Sequence, residues 1–167
     1  MAILIATFSL GAQAQTTIEE IAADSNKAGG VYLVYPKVEA KLTPAPKGYK
    51  PFYVSHYGRH GSRYLISDKD YQSVIQVMQK ASDANALTPL GKDVFQRLNL
   101  VWAEAEGHGG DLTPLGIRQH QGIAERMFNN FPEMFRGKRH ISARSTLVNR
   151  CAMSMAAFGD RLKGLNP

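Results

Sequence analysis

Two near-identical pentapeptides, Leu87-Thr88-Pro89-Leu90-Gly91 and Leu112-Thr113-Pro114-Leu115-Gly116, do most to restrict how this chain can fold. In each, the threonine side chain can cap the open amides of a first helical turn. The proline that follows has no amide proton to leave unpaired there. The two segments therefore predict helices beginning at Pro89 and Pro114. The first carries Val94, Leu98, Val101 and Trp102 at helical spacing. The second carries Ile117, His120, Ile123, Ala124, Met127 and Phe128, and Asn129-Asn130-Phe131-Pro132 ends it. Gly107-His108-Gly109-Gly110-Asp111 between them must be a loop. A repeat this short marks two helix starts, not a solenoid.

Other elements are read from the same kinds of signal. A helical stretch from Thr16 to Ala23 is broken by Gly29-Gly30, and Val31 to Tyr35 is a β-rich run stopped by Pro36. Three prolines between Pro36 and Lys50 predict an extended surface connection. Phe52 to Ser55 reads as a short buried strand. Asp68 to Ala84 has Tyr71, Val74, Ile75, Met78 and Ala81 on one helical face. Arg139 to Ala143 reads as a second strand, feeding a helix from about Thr146 with Val148, Cys151, Met155, Phe158 and Leu162 along one side. Strands separated by helices predict an α/β fold with a parallel sheet.

The first of these strands delivers Arg59-His60-Gly61-Ser62-Arg63. Two guanidinium groups flank an imidazole, and a glycine lets the backbone bend between them. Arginine's planar fork of donors matches pairs of phosphate oxygens. A neutral imidazole held beside such a site can attack phosphorus and become a phosphohistidine. At the carboxyl end of a parallel strand the motif would lie where open α/β sheets bind ligands. The same five residues also fit a basic turn that merely contains a histidine.

The net charge of +6 points to anionic partners, whether nucleic acid, anionic lipid or a heavily phosphorylated small molecule. Arg136, Lys138, Arg139, Arg144 and Arg150 lie close in sequence, but aromatic residues are not interleaved with them as base stacking requires, which argues against nucleic acid. Residues 1–14 read as a signal peptide, with the apolar core Ala2 to Leu10 and a small-x-small site at Ala12-Gln13-Ala14. Its positive n-region is missing, which fits a start upstream of Met1. The expectation is export to a periplasm or the outside. No integral membrane segment is expected, since that apolar core is too short to span a bilayer. Residues 15–50 then form an N-terminal extension. The single Cys151 has no internal partner for a disulfide, and burial is the simplest expectation for it. Oligomeric state leaves no trace in the sequence.

Three segments taken together, Arg59 to Arg63, Leu112 to His120 and Arg144-Ser145-Thr146-Leu147-Val148-Asn149-Arg150, resemble the histidine phosphatase superfamily in its acid-phosphatase and phytase branch. With Ser55-His56-Tyr57-Gly58 ahead of the motif, the chain looks most like bacterial relatives of multiple inositol polyphosphate phosphatase. The resemblance covers about Tyr53 to Leu162. It implies the phosphoglycerate mutase-like α/β fold over residues 51–167, incomplete at the C-terminus. It also implies that His60 is the nucleophile, that Arg59, Arg63 and Arg150 clamp the phosphate, and that Arg144 orients the loop or contacts peripheral phosphates. The activity implied is hydrolysis of phosphomonoesters through a phosphohistidine, on inositol polyphosphates such as phytate, with no cofactor or metal.

The family's reaction also needs a general acid for the leaving alcohol. The resemblance places it in a His-Asp or His-Ala-Glu segment beyond Pro167, so this chain is expected to be an N-terminal fragment that is inactive alone. His56 and His60 are four residues apart, but at a strand end and turn that interval does not make a metal site. His108 is expected on the surface and His120 as a hydrogen-bonded core residue. Two other readings stand beside the phosphatase. One is a non-catalytic polyanion-binding module, and the other a phosphoglycerate mutase-like transferase, which the export signal and the Arg144–Arg150 segment disfavour.

Overall fold

The computed structural model describes residues 17–35 and 42–166. The expected signal peptide at residues 1–14 and the stretch from Pro36 to Lys41 lie outside them. The chain divides into two compact units, one ending at Val34 and the other beginning at Tyr35. In the first, helix α1 (Thr17–Ala23) leads into a 3-10 segment, Ser25–Tyr32, that Asp24 caps by accepting the Asn26 amide. No residue of either element is buried.

The second unit is helical. Helices α2 (Asp68–Asp83), α3 (Pro89–Ala105), α4 (Pro114–Asn130) and α5 (Asn149–Leu165) follow one another, with a 3-10 turn at Pro132–Met134. Thr88 and Thr113 cap α3 and α4 as their sequence requires, each accepting the amide three residues on at 3.1 Å, with proline at the first helical position. Ser67 and Asp70 close a capping box at the start of α2. Asn85, at φ 52, turns the chain between α2 and α3 in the left-handed conformation that asparagine tolerates better than most residues. Helix α5 starts at Asn149, three residues later than expected.

The expected parallel α/β sheet does not form. Among the described residues the only β-type pairing is one antiparallel bridge between Arg63 and Leu112. Residues 51–60 are irregular, and Phe52 and Tyr53 are 91% and 73% exposed. Residues 139–143 are an exposed irregular segment, and Val31-Tyr32 is drawn into the 3-10 turn after Gly30, whose φ is 49. A β-propensity run becomes a strand only when a neighbour takes its backbone hydrogen bonds and covers one face. Among the described residues none of these three runs joins a ladder, so local propensity is overridden. On α2 and α3 the apolar positions Val74, Val94 and Val101 are exposed.

What forms instead is a pair of helix pairs, α2 with α3 and α4 with α5. Tyr71 and Trp102 meet between the first pair with ring centroids 5.9 Å apart. Ala124, Phe135 and Leu162 form the buried core between α4, α5 and the 3-10 turn, with Met127, Phe128, Phe131, Met134 and Phe158 packed around it. Near their far ends Arg161 of α5 bonds Glu125 of α4 through Nε at 2.7 Å. Near their starts both helices touch the Arg59–Arg63 segment, so α4 and α5 run in the same direction with the motif across their N-terminal ends.

That contact depends on two glycines. A Cβ on Gly61 would sit 2.5 Å from the Gly116 carbonyl oxygen and 2.6 Å from its Cα. One on Gly116 would run into the Ser62 carbonyl oxygen and lie 2.7 Å from Leu112 Cδ1. By contrast, a Cβ on Gly159 in the middle of α5 meets nothing within 4 Å. Gly116→Ala is therefore expected to lower stability by about 1–3 kcal/mol through forced backbone movement. Gly159→Ala is expected to raise it by about 0.5–1 kcal/mol, since only helix propensity changes there. Urea unfolding of the two variants checks the contrast, and equal effects would refute the close approach.

Candidate functional site

Residues 59–62 lack regular secondary structure, yet each of their peptide units is held by a side chain or amide from elsewhere. The Arg59 carbonyl accepts from the Tyr35 hydroxyl and from His120 Nε2 at 3.1 Å. The Gly61 amide donates to Ser154 Oγ of α5 at 3.1 Å. The Ser62 amide donates to Gln119 Oε1 of α4 at 2.7 Å, and Gln119 Nε2 returns a bond to Ser62 Oγ at 2.9 Å. The Ser62 carbonyl accepts from the Thr113 amide and from Thr113 Oγ1, both at 2.9 Å. Beyond the motif, the Tyr64 amide donates to the Asp111 carbonyl at 3.0 Å and the Gly110 amide to Leu65 at 2.7 Å. An irregular segment with this many partners is fixed in place.

His60 is half-buried, and its Nδ1 lies 2.7 Å from the Gly61 carbonyl oxygen. A carbonyl can only accept, so Nδ1 carries the proton, and whenever the ring is neutral its lone pair stands on Nε2. The guanidinium groups have separate local supports. Arg59 stacks its guanidinium over the Tyr35 ring, 5.2 Å from the centroid. Arg63 Nη1 donates to the Tyr64 carbonyl at 2.8 Å. Arg150, in the first turn of α5, reaches the Gly110 carbonyl through Nη1 at 3.4 Å. Its Nε is buried with no hydrogen-bond partner among the described residues. The Arg150 carbonyl accepts from Ser154 Oγ at 2.7 Å, the same oxygen that receives the Gly61 amide.

The structure thus gathers Arg59, His60, Arg63 and Arg150 at the N-terminal end of α4 and α5. Arg150 stands in the first turn of α5, after an irregular segment where a strand was expected, and joins the motif through Ser154. Arg144 stands on that same exposed segment, outside this network of contacts. The motif itself stands across two helix ends, where the carboxyl edge of a sheet was expected.

Around the site the remaining histidines take distinct roles. His120 is buried, as its apolar helix face suggested, and burial lowers its pKa from the ordinary 6.5, with the nearby His56 and His60 rings adding to the effect and the bond to Arg59 opposing it. His56 stacks on Phe158 with ring planes 4° apart. His108 is exposed, lies 3.5 Å from Asp111 Oδ2, and stacks on Tyr64. Partial burial, followed by the hydrogen bond to Glu104, raises the Tyr64 phenol above its ordinary 10.0. Cys151 is half-buried rather than fully enclosed. No group of His, Cys, Asp and Glu side chains able to hold a metal ion occurs among the described residues.

Four residues that position this site carried no role in the sequence reading: Tyr35, Gln119, Ser154 and Thr113 in its second capacity as a ligand of Ser62. A signal existed for two of them. Gln119 stands three residues after Gly116 on α4, and Ser154 three after Cys151 on α5, so each is a polar residue on or beside a packed helix face. Such a side chain needs a partner. Nothing marks Tyr35 in the same way, because its contact with Arg59 spans 24 residues of sequence.

No protein-family model and no curated protein matches this chain.

The lowered pKa of His120 has a consequence for stability. The unfolded chain takes up a proton near pH 6.5 that the buried ring resists, so the folded state binds fewer protons in that range. Stability is therefore fully present above the ordinary histidine pKa and is lost as pH falls below it. His120→Gln, which can still donate to the Arg59 carbonyl, is expected to remove that component. Melting temperatures of the two proteins at pH 7.5 and 5.5 measure it, and an unchanged acid sensitivity in His120→Gln would refute it.

Proposed function

We propose that this chain carries a phosphate-ester site of the histidine phosphatase type, in which Arg59, Arg63 and Arg150 bind a phosphoryl group and His60 accepts it. The observation that carries the reading is the His60 ring, whose Nδ1 is committed to the Gly61 carbonyl at 2.7 Å, an arrangement that leaves Nε2 with the lone pair when the ring is neutral. A buried Arg150 Nε with no hydrogen-bond partner, at the end of the helices that hold the motif, supports it as a donor for an anionic oxygen. The net charge of +6 suits a substrate bearing several phosphates, and it is the resemblance carried by Ser55-His56-Tyr57-Gly58 that makes inositol polyphosphates such as phytate the preferred class. The apolar segment and small-x-small site near the N-terminus favour an exported protein, periplasmic or secreted. No helix among the described residues is long and apolar enough to cross a membrane.

The reaction proceeds in two displacements. The Nε2 lone pair of His60 forms a bond to phosphorus as the ester P–O bond breaks, and the alcohol oxygen leaves with that electron pair and takes up a proton. Water then attacks the phosphohistidine, releasing phosphate and restoring the ring. Guanidinium donors stabilise the charge that spreads over the equatorial oxygens in both steps. Protonating a poor leaving group requires a general acid, and among the described residues no carboxylate is hydrogen-bonded to His60. Glu104 bonds Tyr64, Asp111 lies beside His108, and Glu125 is paired with Arg161.

A substrate whose leaving group needs no acid isolates the first displacement. With p-nitrophenyl phosphate and a denaturing quench, the chain is expected to retain a phosphoryl label on His60 that survives alkali. His60→Ala should abolish it, and Arg150→Ala should slow labelling by about 100-fold or more, the usual cost of one lost donor at a developing oxyanion. Equal labelling in His60→Ala ends the proposal. Phosphate binding without any label in the wild type would favour the non-catalytic polyanion-binding module.

A further inference from the structure

Gln119 has no substrate-facing chemistry of its own, yet it is joined to the reactive ring through a single peptide unit. The Gly61 carbonyl and the Ser62 amide are the two ends of that unit. Its oxygen accepts from His60 Nδ1 at 2.7 Å, and its N–H donates to Gln119 Oε1 at 2.7 Å. A peptide unit is planar and rigid, so whatever fixes the direction of its N–H fixes the opposite direction of its C=O. Gln119 is held to one amide orientation because its Nε2 donates to Ser62 Oγ at 2.9 Å, which leaves the oxygen end facing the Ser62 amide. The neighbouring units cannot take over this task. The Gly61 amide is engaged with Ser154 and the Ser62 carbonyl with Thr113, and neither bond sets the rotation of the unit between them.

We propose that Gln119 is a positioning residue that sets the tautomer of His60 through the Gly61–Ser62 peptide unit. This rests on the reading of His60 as the phosphoryl acceptor. A free neutral imidazole in water favours the proton on Nε2, which is the wrong nitrogen for attack from Nε2. The tautomer a protein ring adopts is the one its fixed hydrogen bond selects. With the Gly61 carbonyl aimed at Nδ1, the Nε2 lone pair is present in every neutral molecule. Without Gln119 the unit is free to turn, the acceptor moves off the ring, and the reactive tautomer becomes a fraction of the population. The arginines are untouched by this change, so the rate of attack falls while phosphate binding does not.

The test has one arm that does not involve turnover. In 15N-histidine-labelled protein, at a pH where the rings are neutral, NMR reports which nitrogen of His60 carries the proton, with His60→Asn giving the assignment. The wild type is expected to show the Nδ1–H form. Gln119→Met, of similar length but without an acceptor, is expected to show a mixture of both forms. It should also slow labelling by p-nitrophenyl phosphate by the factor by which the Nδ1–H fraction falls, with the affinity for inorganic phosphate unchanged. Gln119→Glu, which keeps an acceptor for the Ser62 amide, should restore the Nδ1–H form. A wild-type His60 protonated on Nε2 overturns the proposal without any variant, and so does Gln119→Met with the wild-type tautomer and rate. A tautomer that follows Gln119 in a wild type that takes no label would uphold the link to His60 and remove the phosphatase reading instead.

Discussion

The backbone of Gly61 lies against the backbone of Gly116 with no space for a side chain on either, and the arrangement of the motif follows from that contact. Because the two backbone segments touch at Cα and carbonyl, Ser62 is brought within reach of both Thr113 and Gln119. The same approach lets the Gly61 amide find Ser154 on α5. Each of these bonds contributes on the order of 1 kcal/mol net, and leaving one of the partly buried groups unpaired would cost more. Their joint effect is geometric. A stretch without helix or strand acquires a single conformation, and the His60 ring inherits it through the Gly61 carbonyl.

Precision at such a site comes from rigid elements, and here those elements are helix starts. The caps and first two turns of α4 and α5 present Thr113, Gly116, Gln119 and Ser154 to the motif, while the aromatic core around Phe128, Phe135 and Phe158 fixes the two helices against each other. A cap residue does double duty. Thr113 satisfies the Gly116 amide of its own helix and also donates to Ser62, so the same hydroxyl that starts the helix secures the loop. Tyr35 adds a further support, with its hydroxyl on the Arg59 carbonyl and its ring beneath the Arg59 guanidinium.

Helices were legible because their signals are local. Thr88-Pro89 and Thr113-Pro114 act through groups within four residues, and the apolar stripes of α2 to α5 repeat at a spacing set by the helix itself. The expected strands failed for the opposite reason. Val31 to Tyr35, Phe52 to Ser55 and Arg139 to Ala143 have strand-like composition, but a strand is a property of two segments and not of one. Among the described residues these runs stand in a 3-10 turn or in irregular, largely exposed backbone, and no parallel sheet is built from them there.

For the site the division falls differently. Residue chemistry read from the chain alone was enough to single out His60 between Arg59 and Arg63, because imidazole and guanidinium have fixed donor and acceptor capacities wherever they stand. The buried state of His120 and the loop at Gly107 to Asp111 were readable for similar reasons, from face and from composition. No local pattern could show that Gln119 and Ser154 would meet the motif from 57 and 93 residues away, or that a cap hydroxyl would serve two segments. Those outcomes depend on which backbones can approach without a side chain between them. That is a property of the packed chain, since contact distances of a few ångströms arise only once both helices are in place.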